Sequence, residues 1–215
     1  MTKGKKGRGR FIVLEGIDGA GTTTQLARIV DWLQDRGELA HGTHEPSEGP
    51  IGALIRQVLR GRLVATPSGK KVEPVDPAAV ALLFAADRLD HVHNEIAPLL
   101  DQGWHVICDR YVVSSFAYQG LETDLRFVRQ INEKAITPDL TIFLKVRPEV
   151  AMARIEASRI GRESFEKLNI QKKVAAAYEE LLAQYRGGRV VTIDGEQAVS
   201  SVTQAVRNAV EDLFR

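Results

Sequence analysis

A glycine-rich loop between an apolar strand and an amphipathic helix constrains this chain most. The loop lies in residues 11–25, which read FIVLEGIDGAGTTTQ. Gly16 and Gly21 occupy the glycine positions of the phosphate-binding pattern G-x-x-x-x-G-K-[ST], and Thr23 occupies its hydroxyl position. Backbone N–H groups of such a loop surround an anion, and the positive end of the next helix adds to their attraction. The candidate phosphate-binding residues are Gly16, Asp18, Gly19, Ala20, Gly21, Thr22, Thr23 and Thr24.

The loop lacks the lysine of this pattern, because Thr22 stands at that position. The lysine normally places a positive charge on the β- and γ-phosphates of a nucleotide. Two interpretations therefore stay open. The segment is either a nucleotide site that takes its positive charge from elsewhere in the chain, or a strand-to-helix turn that holds no ligand.

Composition narrows the class of protein. The 215 residues include 29 basic and 28 acidic side chains, a formal net charge of +1, which argues against a general nucleic-acid-binding protein. Residues 1–10 are nevertheless basic and glycine-rich, and we expect a flexible solubilising tail there, with a weak tether for nucleic acid as the alternative. No apolar run suits a membrane helix or a signal peptide, and the single cysteine, Cys108, excludes an internal disulfide. These features are typical of a reduced, soluble, cytoplasmic protein.

Strand-like segments alternate with helix-like segments along the chain, which predicts an α/β fold. The expected strands are 11–15, 39–45, 104–108, 140–146 and 189–194. The expected helices are 22–36, 50–60, 77–101, 124–136, 148–158, 165–185 and 198–214. This pattern indicates one domain, residues 11–215, with a five-stranded parallel sheet flanked by helices. The loops after residues 15, 45, 109 and 146 should then meet at one crevice, because ligands of open parallel sheets bind at the carboxyl ends of the strands.

Two pairs of side chains near this crevice are suited to binding or chemistry. Asp109 follows the third expected strand, where a carboxylate can hold Mg²⁺ together with the hydroxyl of Thr23, and Arg110 offers a planar fork of donors to phosphate oxygens. A structural Asp–Arg ion pair is the alternative. Phe84 and Arg88 lie four residues apart, on one face of a helix. A position in the core is the alternative for Phe84, although a buried arginine beside it would require a partner.

Five segments together resemble the thymidylate kinase family. They read THEP (43–46), LLFAADR (82–88), CDRY (108–111), SSFAYQG (114–120) and PDLTIFL (138–144). The resemblance implies a P-loop nucleoside monophosphate kinase fold with a lid at about 158–165, and usually a homodimer. The implied reaction, with Mg²⁺, transfers the γ-phosphoryl group of ATP to dTMP and gives dTDP and ADP in dTTP synthesis.

The resemblance also implies roles for individual side chains. Phe84 is expected to stack on the thymine ring and Arg88 to donate to a base carbonyl. Tyr118 is expected to exclude ribonucleotides by pressing on the 2′ carbon of the sugar, and Phe165 to close over the base from the lid helix. The implied substrate-binding residues are Asp18, Glu45, Phe84, Arg88, Arg110, Ser114, Tyr118, Gln119 and Phe165.

Phosphoryl transfer itself is assigned by resemblance to Asp18, Arg110 and Arg162. Asp18 resembles the carboxylate that engages the sugar 3′-hydroxyl and the phosphate region, although an aspartate that only stabilises the turn is the alternative. Gly19 stands where one branch of the family has a loop arginine, so this chain resembles the branch in which a lid arginine, Arg162 or Arg159, reaches the phosphates. Arg154 is expected on the exposed face of the helix before the lid.

The chain departs from the family pattern at several charged positions. Thr22 replaces the loop lysine, His44 replaces the arginine that grips the acceptor phosphate, and Ser164 replaces a lid arginine. Lys145 replaces the aspartate that usually ends the fourth strand. Because that strand is expected beside the first, we predict that Lys145 is catalytic and supplies the charge missing at Thr22, with a solvated surface lysine as the alternative. Two other functions stay open, a kinase for another nucleoside monophosphate and a catalytically weakened nucleotide-binding homologue.

Overall fold

The sheet of this protein has five parallel strands. The computed structural model describes residues 7–65, 72–158 and 165–215, apart from the side chains of residues 158, 165 and 166. The strands are β1 (Phe11–Glu15), β2 (Ala40–His44), β3 (His105–Asp109), β4 (Leu140–Lys145) and β5 (Arg189–Asp194). Their order is β2-β3-β1-β4-β5, with every neighbouring pair parallel. The expected α/β fold is therefore confirmed, and each strand lies within one residue of its predicted bounds.

Helices flank the sheet in the described parts of the chain. They are α1 (Thr22–Asp35), α2 (Pro50–Leu59), α3 (Pro77–His91), α4 (Ala97–Asp101), α5 (Val112–Glu122), α6 (Leu125–Ile131), α7 (Pro148–Ser158), α8 (Phe165–Gln184) and α9 (Val199–Phe214). The predicted helix 77–101 is interrupted by a π-helical turn at Val92–Ile96. That turn precedes Pro98, whose ring and missing N–H do not fit an unbroken α-helix. The predicted helix 124–136 already ends at Ile131.

Helix α5 lies in a segment for which the sequence predicts no helix, so that prediction is wrong. Its buried face includes Ser114, Ser115 and Gln119 beside apolar residues, so the polar and apolar positions do not alternate at a clear helical period. This helix carries several of the candidate substrate-binding residues, and its first turn follows the end of β3 directly.

The central strand β1 buries both of its faces, as a parallel strand covered by helices does. Ile12 and Leu14 pack with apolar side chains of α1 and α9, whereas Phe11 and Val13 pack in a second cluster with residues of α4 and β3. None of the four is more than 1% exposed. Because β1 lies between β3 and β4, its carboxyl end opens at the middle of the sheet edge.

The first described residues are attached to the body of the domain. The N–H of Gly9 donates to a carbonyl oxygen of α4 at 2.8 Å, and the N–H of Arg10 donates to Nδ1 of His105 at 3.0 Å. The Arg10 guanidinium also pairs with Asp139 at 3.2 Å. Residues 9 and 10 of the expected tail thus belong to the folded domain, while residues 1–6 lie outside the described residues. Within the described ranges, no helix has the length and apolar character needed to cross a membrane.

Candidate active site

The glycine-rich loop joins β1 to α1 at the centre of the sheet edge. Gly19 and Gly21 have φ angles of 80° and 95°, which side-chain-bearing residues rarely adopt. Space excludes a side chain at position 19 as well, because a Cβ there would overlap the carbonyl oxygen of Ala151 on α7. Thr22 begins α1 and is buried. The loop can therefore offer backbone donors and threonine hydroxyls to an anion, but it contains no cationic residue of its own.

A cavity of about 790 Å³ lies against this loop, and we call it the first cavity. Its volume falls in the range that small-molecule ligands occupy. Arg154 on α7 and Lys167 on α8 are among the residues that line it. The expectation that Arg154 lies on an exposed face is wrong, because Arg154 and Ala151 share the face of α7 that packs on the loop. An N–H of the Arg154 guanidinium donates to the carbonyl oxygen of Gly195 at 2.8 Å.

Thr23 and Asp109 meet in the wall of the first cavity. The Thr23 hydroxyl donates to Oδ2 of Asp109 at 2.5 Å. Oδ1 of Asp109 is buried and accepts no hydrogen bond from the described residues. A hydroxyl and a carboxylate with an unused oxygen fit Mg²⁺, which proteins usually hold with one or two carboxylates plus substrate phosphates. Within the described ranges, no three His, Cys, Asp and Glu side chains are grouped so that they could hold a metal alone.

A second cavity of about 320 Å³ opens between α3 and α5. Phe84 and Arg88 reach its wall from one face of α3, and Ser114, Tyr118 and Gln119 reach it from α5. Gln119 is 9% exposed, and its Oε1 lacks a hydrogen-bond partner among the residues that the structure describes. A buried acceptor of this kind suits an N–H group of a ligand, because an unpaired buried polar atom is costly.

The guanidinium of Arg88 in this wall is mostly satisfied by the protein. Nε and Nη2 donate to Oε2 of Glu45 at 2.9 and 2.6 Å. Nη2 also donates to Ser115 at 3.0 Å, and Nη1 donates to Asn132. Four of the five N–H groups of the side chain thus have partners, and one on Nη1 has none among the described residues. Glu45, implied as a substrate-binding residue, lines the cavity and anchors Arg88 there.

Asp18, Arg110 and Tyr118 belong to the walls of both cavities. Nη2 of Arg110 donates to Oδ1 of Asp18 at 2.7 Å, and the guanidinium lies 5.1 Å from the centre of the Tyr118 ring. Arg110 therefore pairs with Asp18 of the loop and not with its neighbour Asp109. Its φ of 70° is unusual for a residue with a side chain, and such conformations persist where the surrounding structure imposes them.

The carboxylate of Glu15 holds the turn between β3 and α5 by hydrogen bonds. Its Oε1 accepts the N–H groups of Tyr111 and Ser114 at 3.1 and 3.2 Å, and its Oε2 accepts the hydroxyls of Ser114 and Tyr178 at 2.5 and 2.9 Å. Burial raises the pKa of the Glu15 carboxyl, although the Ser114 hydrogen bond and the Arg110 charge oppose this rise. The carboxylate thus caps the amino end of α5, directly after Arg110.

Gln171 of α8 belongs to the site, although no sequence pattern indicates it. Its Nε2 donates to Oδ2 of Asp18 at 3.0 Å, so Asp18 is held between Arg110 and Gln171. The side chain is buried, and its Oε1 has no partner in the part of the chain that the structure describes. The two residues are 153 positions apart, and no local pattern signals the contact.

Lys145 lies at the end of β4, beside β1 as expected. Its ammonium, however, lies 2.8 Å from Glu179 on α8, with more than half of the side chain exposed. Successive side chains of a strand point to opposite faces, so Lys145 shares the face of Phe143, which stacks on Tyr178 of α8. Lys145 is not among the residues that line the first cavity. The geometry therefore argues against the prediction that Lys145 replaces the loop lysine, and it favours the solvated surface lysine.

For the reaction that the resemblance implies, we expect Lys145→Ala to leave kcat and the KM for ATP within about twofold of the original protein, because exposed ion pairs contribute little. Steady-state kinetics at varied ATP would measure this, with Glu179→Ala as the matched variant. A loss of about tenfold or more in kcat, seen in Lys145→Ala alone, would support the prediction that Lys145 supplies the charge missing at Thr22.

Other expected residues lie apart from the two cavities or outside the described residues. Nε2 of His44 pairs with Glu48 at 3.1 Å, and His44 lines a neighbouring space of about 280 Å³ next to Asp109 and Arg110. The lid residues Arg159, Arg162 and Ser164, and the side chain of Phe165, lie outside the described residues.

His91 is a buried titratable group behind the second cavity. Its Nδ1 lies 3.4 Å from Oε1 of Glu45, and its Nε2 lies 2.8 Å from the hydroxyl of Thr43. Burial lowers the pKa of His91, but the hydrogen bond and charge of Glu45 and the charges of Glu95 and Asp87 outweigh burial and raise it.

The charged form of His91 is therefore expected to stabilise the fold. A raised folded-state pKa gives stability that is complete below the unfolded value of about 6.5 and is lost as pH rises through the folded value. The free energy of unfolding, measured by denaturant titration from about pH 6 to pH 9, should fall with rising pH more steeply in the original protein than in His91→Gln. Parallel pH profiles of the two proteins would contradict this.

The chain is similar to known proteins along most of its length. A family model described as thymidylate kinase matches residues 14–206. A thymidylate kinase of Caldicellulosiruptor saccharolyticus is 34% identical over 214 residues, which cover 97% of this chain and 98% of the relative. A probable thymidylate kinase of Pyrococcus horikoshii is 40% identical over 185 residues, 86% of this chain and 88% of the relative. One of Pyrobaculum aerophilum is 38% identical over 207 residues, 95% of this chain and 98% of the relative.

Proposed function

The chain belongs to the thymidylate kinase family, and we propose that it transfers the γ-phosphoryl group of ATP to dTMP. One observation carries this proposal: the two cavities share Asp18, Arg110 and Tyr118. A triphosphate on the loop and a monophosphate from the second cavity would meet at the Arg110 guanidinium. Two cavities that share the guanidinium donors of Arg110 suit the transfer of a phosphoryl group between two phosphates.

The reaction would depend on position and charge. The attacking phosphate oxygen of dTMP is already ionised, so no strong base is required. Arg110 would place positive charge on the phosphates as they approach. Asp18, itself held by Gln171, would orient the Arg110 guanidinium. Thr23 and Asp109 would hold Mg²⁺, which neutralises phosphate charge when bound.

Recognition of the acceptor would use the second cavity. Phe84 would stack on the thymine ring, the remaining N–H of Arg88 would reach a base carbonyl, and Oε1 of Gln119 would accept an N–H of the base. Tyr118 would exclude a 2′-hydroxyl. From the lid, Arg162 would reach the phosphates and Phe165 would close over the base.

A homodimer is part of the proposal. Leu54 on α2 and Leu82 and Leu89 on α3 are between 41% and 48% exposed and offer apolar surface for a second copy. Analytical ultracentrifugation would measure the association, and a monomer at micromolar concentration would contradict it.

A coupled assay of ADP release, with ATP and Mg²⁺, tests the proposed reaction. We expect turnover with dTMP well above that with dUMP, dCMP and dGMP. A preference for another of these acceptors would make the chain a kinase for that monophosphate. No turnover, together with retained binding of ATP or dTMP, would make it a nucleotide-binding homologue that does not transfer phosphate.

A further inference from the structure

The main chain of Arg110 is held on both sides by consecutive residues of β1. The N–H of Arg110 donates to the carbonyl oxygen of Leu14 at 2.8 Å. The N–H of the next residue, Tyr111, donates to Oε1 of Glu15 at 3.1 Å. The carbonyl oxygen of Arg110 accepts the S–H of Cys108 at 3.1 Å. Because a φ of 70° is unfavourable for a residue with a side chain, these contacts stabilise Arg110 in a conformation that it would not adopt alone.

The carboxylate of Glu15 also reaches the guanidinium of Arg110, through one hydroxyl group. Oγ of Ser114 donates to Oε2 of Glu15 at 2.5 Å and accepts an N–H from Nη1 of Arg110 at 3.4 Å. The hydroxyl of Tyr178 on α8 donates to the same Oε2 at 2.9 Å. Glu15 therefore acts on Arg110 at two points, the peptide group that follows it and one end of its guanidinium. The other end, Nη2, donates to Asp18 of the loop.

The effect of Glu15 on a ligand is indirect in this structure. Glu15 is 0% exposed, whereas Arg110 lies in the walls of both cavities. Without the carboxylate, the N–H groups of Tyr111 and Ser114 lose this acceptor, and the left-handed turn at Arg110 loses a contact that opposes its relaxation. A reacting group misplaced by about 1 Å can lower a rate by about a hundredfold.

We propose that Glu15 is the positioning residue of Arg110, and that it directs the guanidinium towards the phosphates where the two cavities meet. This inference rests on the proposed function, because it takes Arg110 as the cation between the two phosphates. The hydroxyl of Tyr178 belongs to the set of donors on this carboxylate and so connects α8 to the same turn.

Three substitutions of Glu15 separate its geometry from its charge. Glu15→Ala removes the acceptor, and we expect kcat for dTMP phosphorylation to fall about a hundredfold while the KM for ATP changes by less than about fivefold. Glu15→Asp keeps the charge but is one methylene too short for the two N–H groups, and we expect a loss of about tenfold in kcat. Glu15→Gln keeps an oxygen acceptor at full length, and its amide can donate to the Ser114 and Tyr178 hydroxyls, so it should retain most of the rate.

Asp124→Ala is the matched control for these variants. The Asp124 carboxylate accepts the N–H of Arg126 at 2.8 Å and caps the amino end of α6, but at an exposed position. Removing this cap should leave kcat unchanged.

A second comparison uses Arg110→Ala as the background. If Glu15 acts through Arg110, adding Glu15→Ala should lower kcat by less than about threefold there, because the residue on which it acts is gone. Losses that multiply in full would overturn the proposal, since they would show an effect of Glu15 that does not pass through Arg110. Denaturant titration shows which variants are folded, and Glu15→Asp takes the place of Glu15→Ala in both comparisons if Glu15→Ala does not fold.

Binding of a bisubstrate ligand tests the inference without turnover. The probe is adenosine joined to thymidine by a polyphosphate chain, which would span both cavities. Calorimetry should show binding weaker by about tenfold or more in Glu15→Ala and Glu15→Asp, and unchanged in Asp124→Ala.

The dTMP assay on the original protein separates this inference from the proposed function. No phosphorylation of any monophosphate, together with the expected loss of bisubstrate affinity, would refute the function and support Glu15 as the positioning residue of Arg110. Turnover of dTMP, with kcat of Glu15→Ala and Glu15→Asp within about twofold of the original value, would refute the role of Glu15 alone. No turnover and no change in bisubstrate binding would refute both.

Discussion

Arg110→Ala is expected to lower kcat for dTMP phosphorylation by about 1000-fold or more, the scale of arginines that stabilise charge in phosphoryl transfer. Arg110 lies in the walls of both cavities, and its guanidinium donates to Asp18 at 2.7 Å. Its loss would remove a fork of donors from the point where the two phosphates meet. Steady-state kinetics with saturating ATP and dTMP would measure the effect.

Two further variants make this result specific. Arg110→Lys keeps the charge but not the planar fork, and we expect it to recover only part of the rate. Arg126→Ala removes an arginine that is 92% exposed on α6 and pairs only with Asp124 among the described residues, so its kcat should be unchanged. A value for Arg110→Ala within tenfold of the original enzyme would contradict the central role given to Arg110.

Glu45→Ala is expected to reduce the free energy of unfolding by about 3–5 kcal/mol. Glu45 and Arg88 are both almost fully buried, and two N–H groups of Arg88 donate to one carboxylate oxygen. Without Glu45 the guanidinium stays buried and keeps, among the described residues, the hydrogen bonds to Ser115 and Asn132 and the ring contact with Tyr111. Denaturant titration at neutral pH would measure the change.

The exposed pair of Arg36 and Glu211, 3.3 Å apart, is the matched control. Glu211→Ala breaks an ion pair of the same chemistry at the surface, and we expect a change of at most about 1 kcal/mol. Similar losses of unfolding free energy in Glu45→Ala and Glu211→Ala would mean that burial does not determine how strongly the Arg88–Glu45 pair stabilises the fold.

The parts of the structure that follow from local sequence were predictable. The strands are short apolar runs between turn residues, so their positions and the parallel sheet follow from hydrophobic pattern alone. The contact of Thr23 with Asp109 was predictable too, because Asp109 ends β3, and β3 lies beside β1, whose carboxyl end leads into the loop before Thr23.

The parts that depend on distant partners were not predictable. Helix α5 begins where Glu15 accepts its N–H groups from 96 and 99 residues away in the chain, and its buried face is partly polar. The local hydrophobic periodicity shows neither the contact with Glu15 nor the partly polar buried face. The same reason hides Gln171 and the pairing of Lys145 with Glu179, since both contacts depend on where α8 lies.

The packing of α7 against Gly19 limits how this chain can change by substitution. With a φ of 80° and the Ala151 carbonyl oxygen in the way, an arginine at position 19 would require α7 to move as well. A Gly19→Arg replacement alone would therefore strain this loop. Sequences that descend from this one can therefore gain a phosphate-binding cation mainly through substitutions on α7, α8 or the lid. The contact between Gly19 and the Ala151 carbonyl oxygen thus restricts the order in which such substitutions can arise.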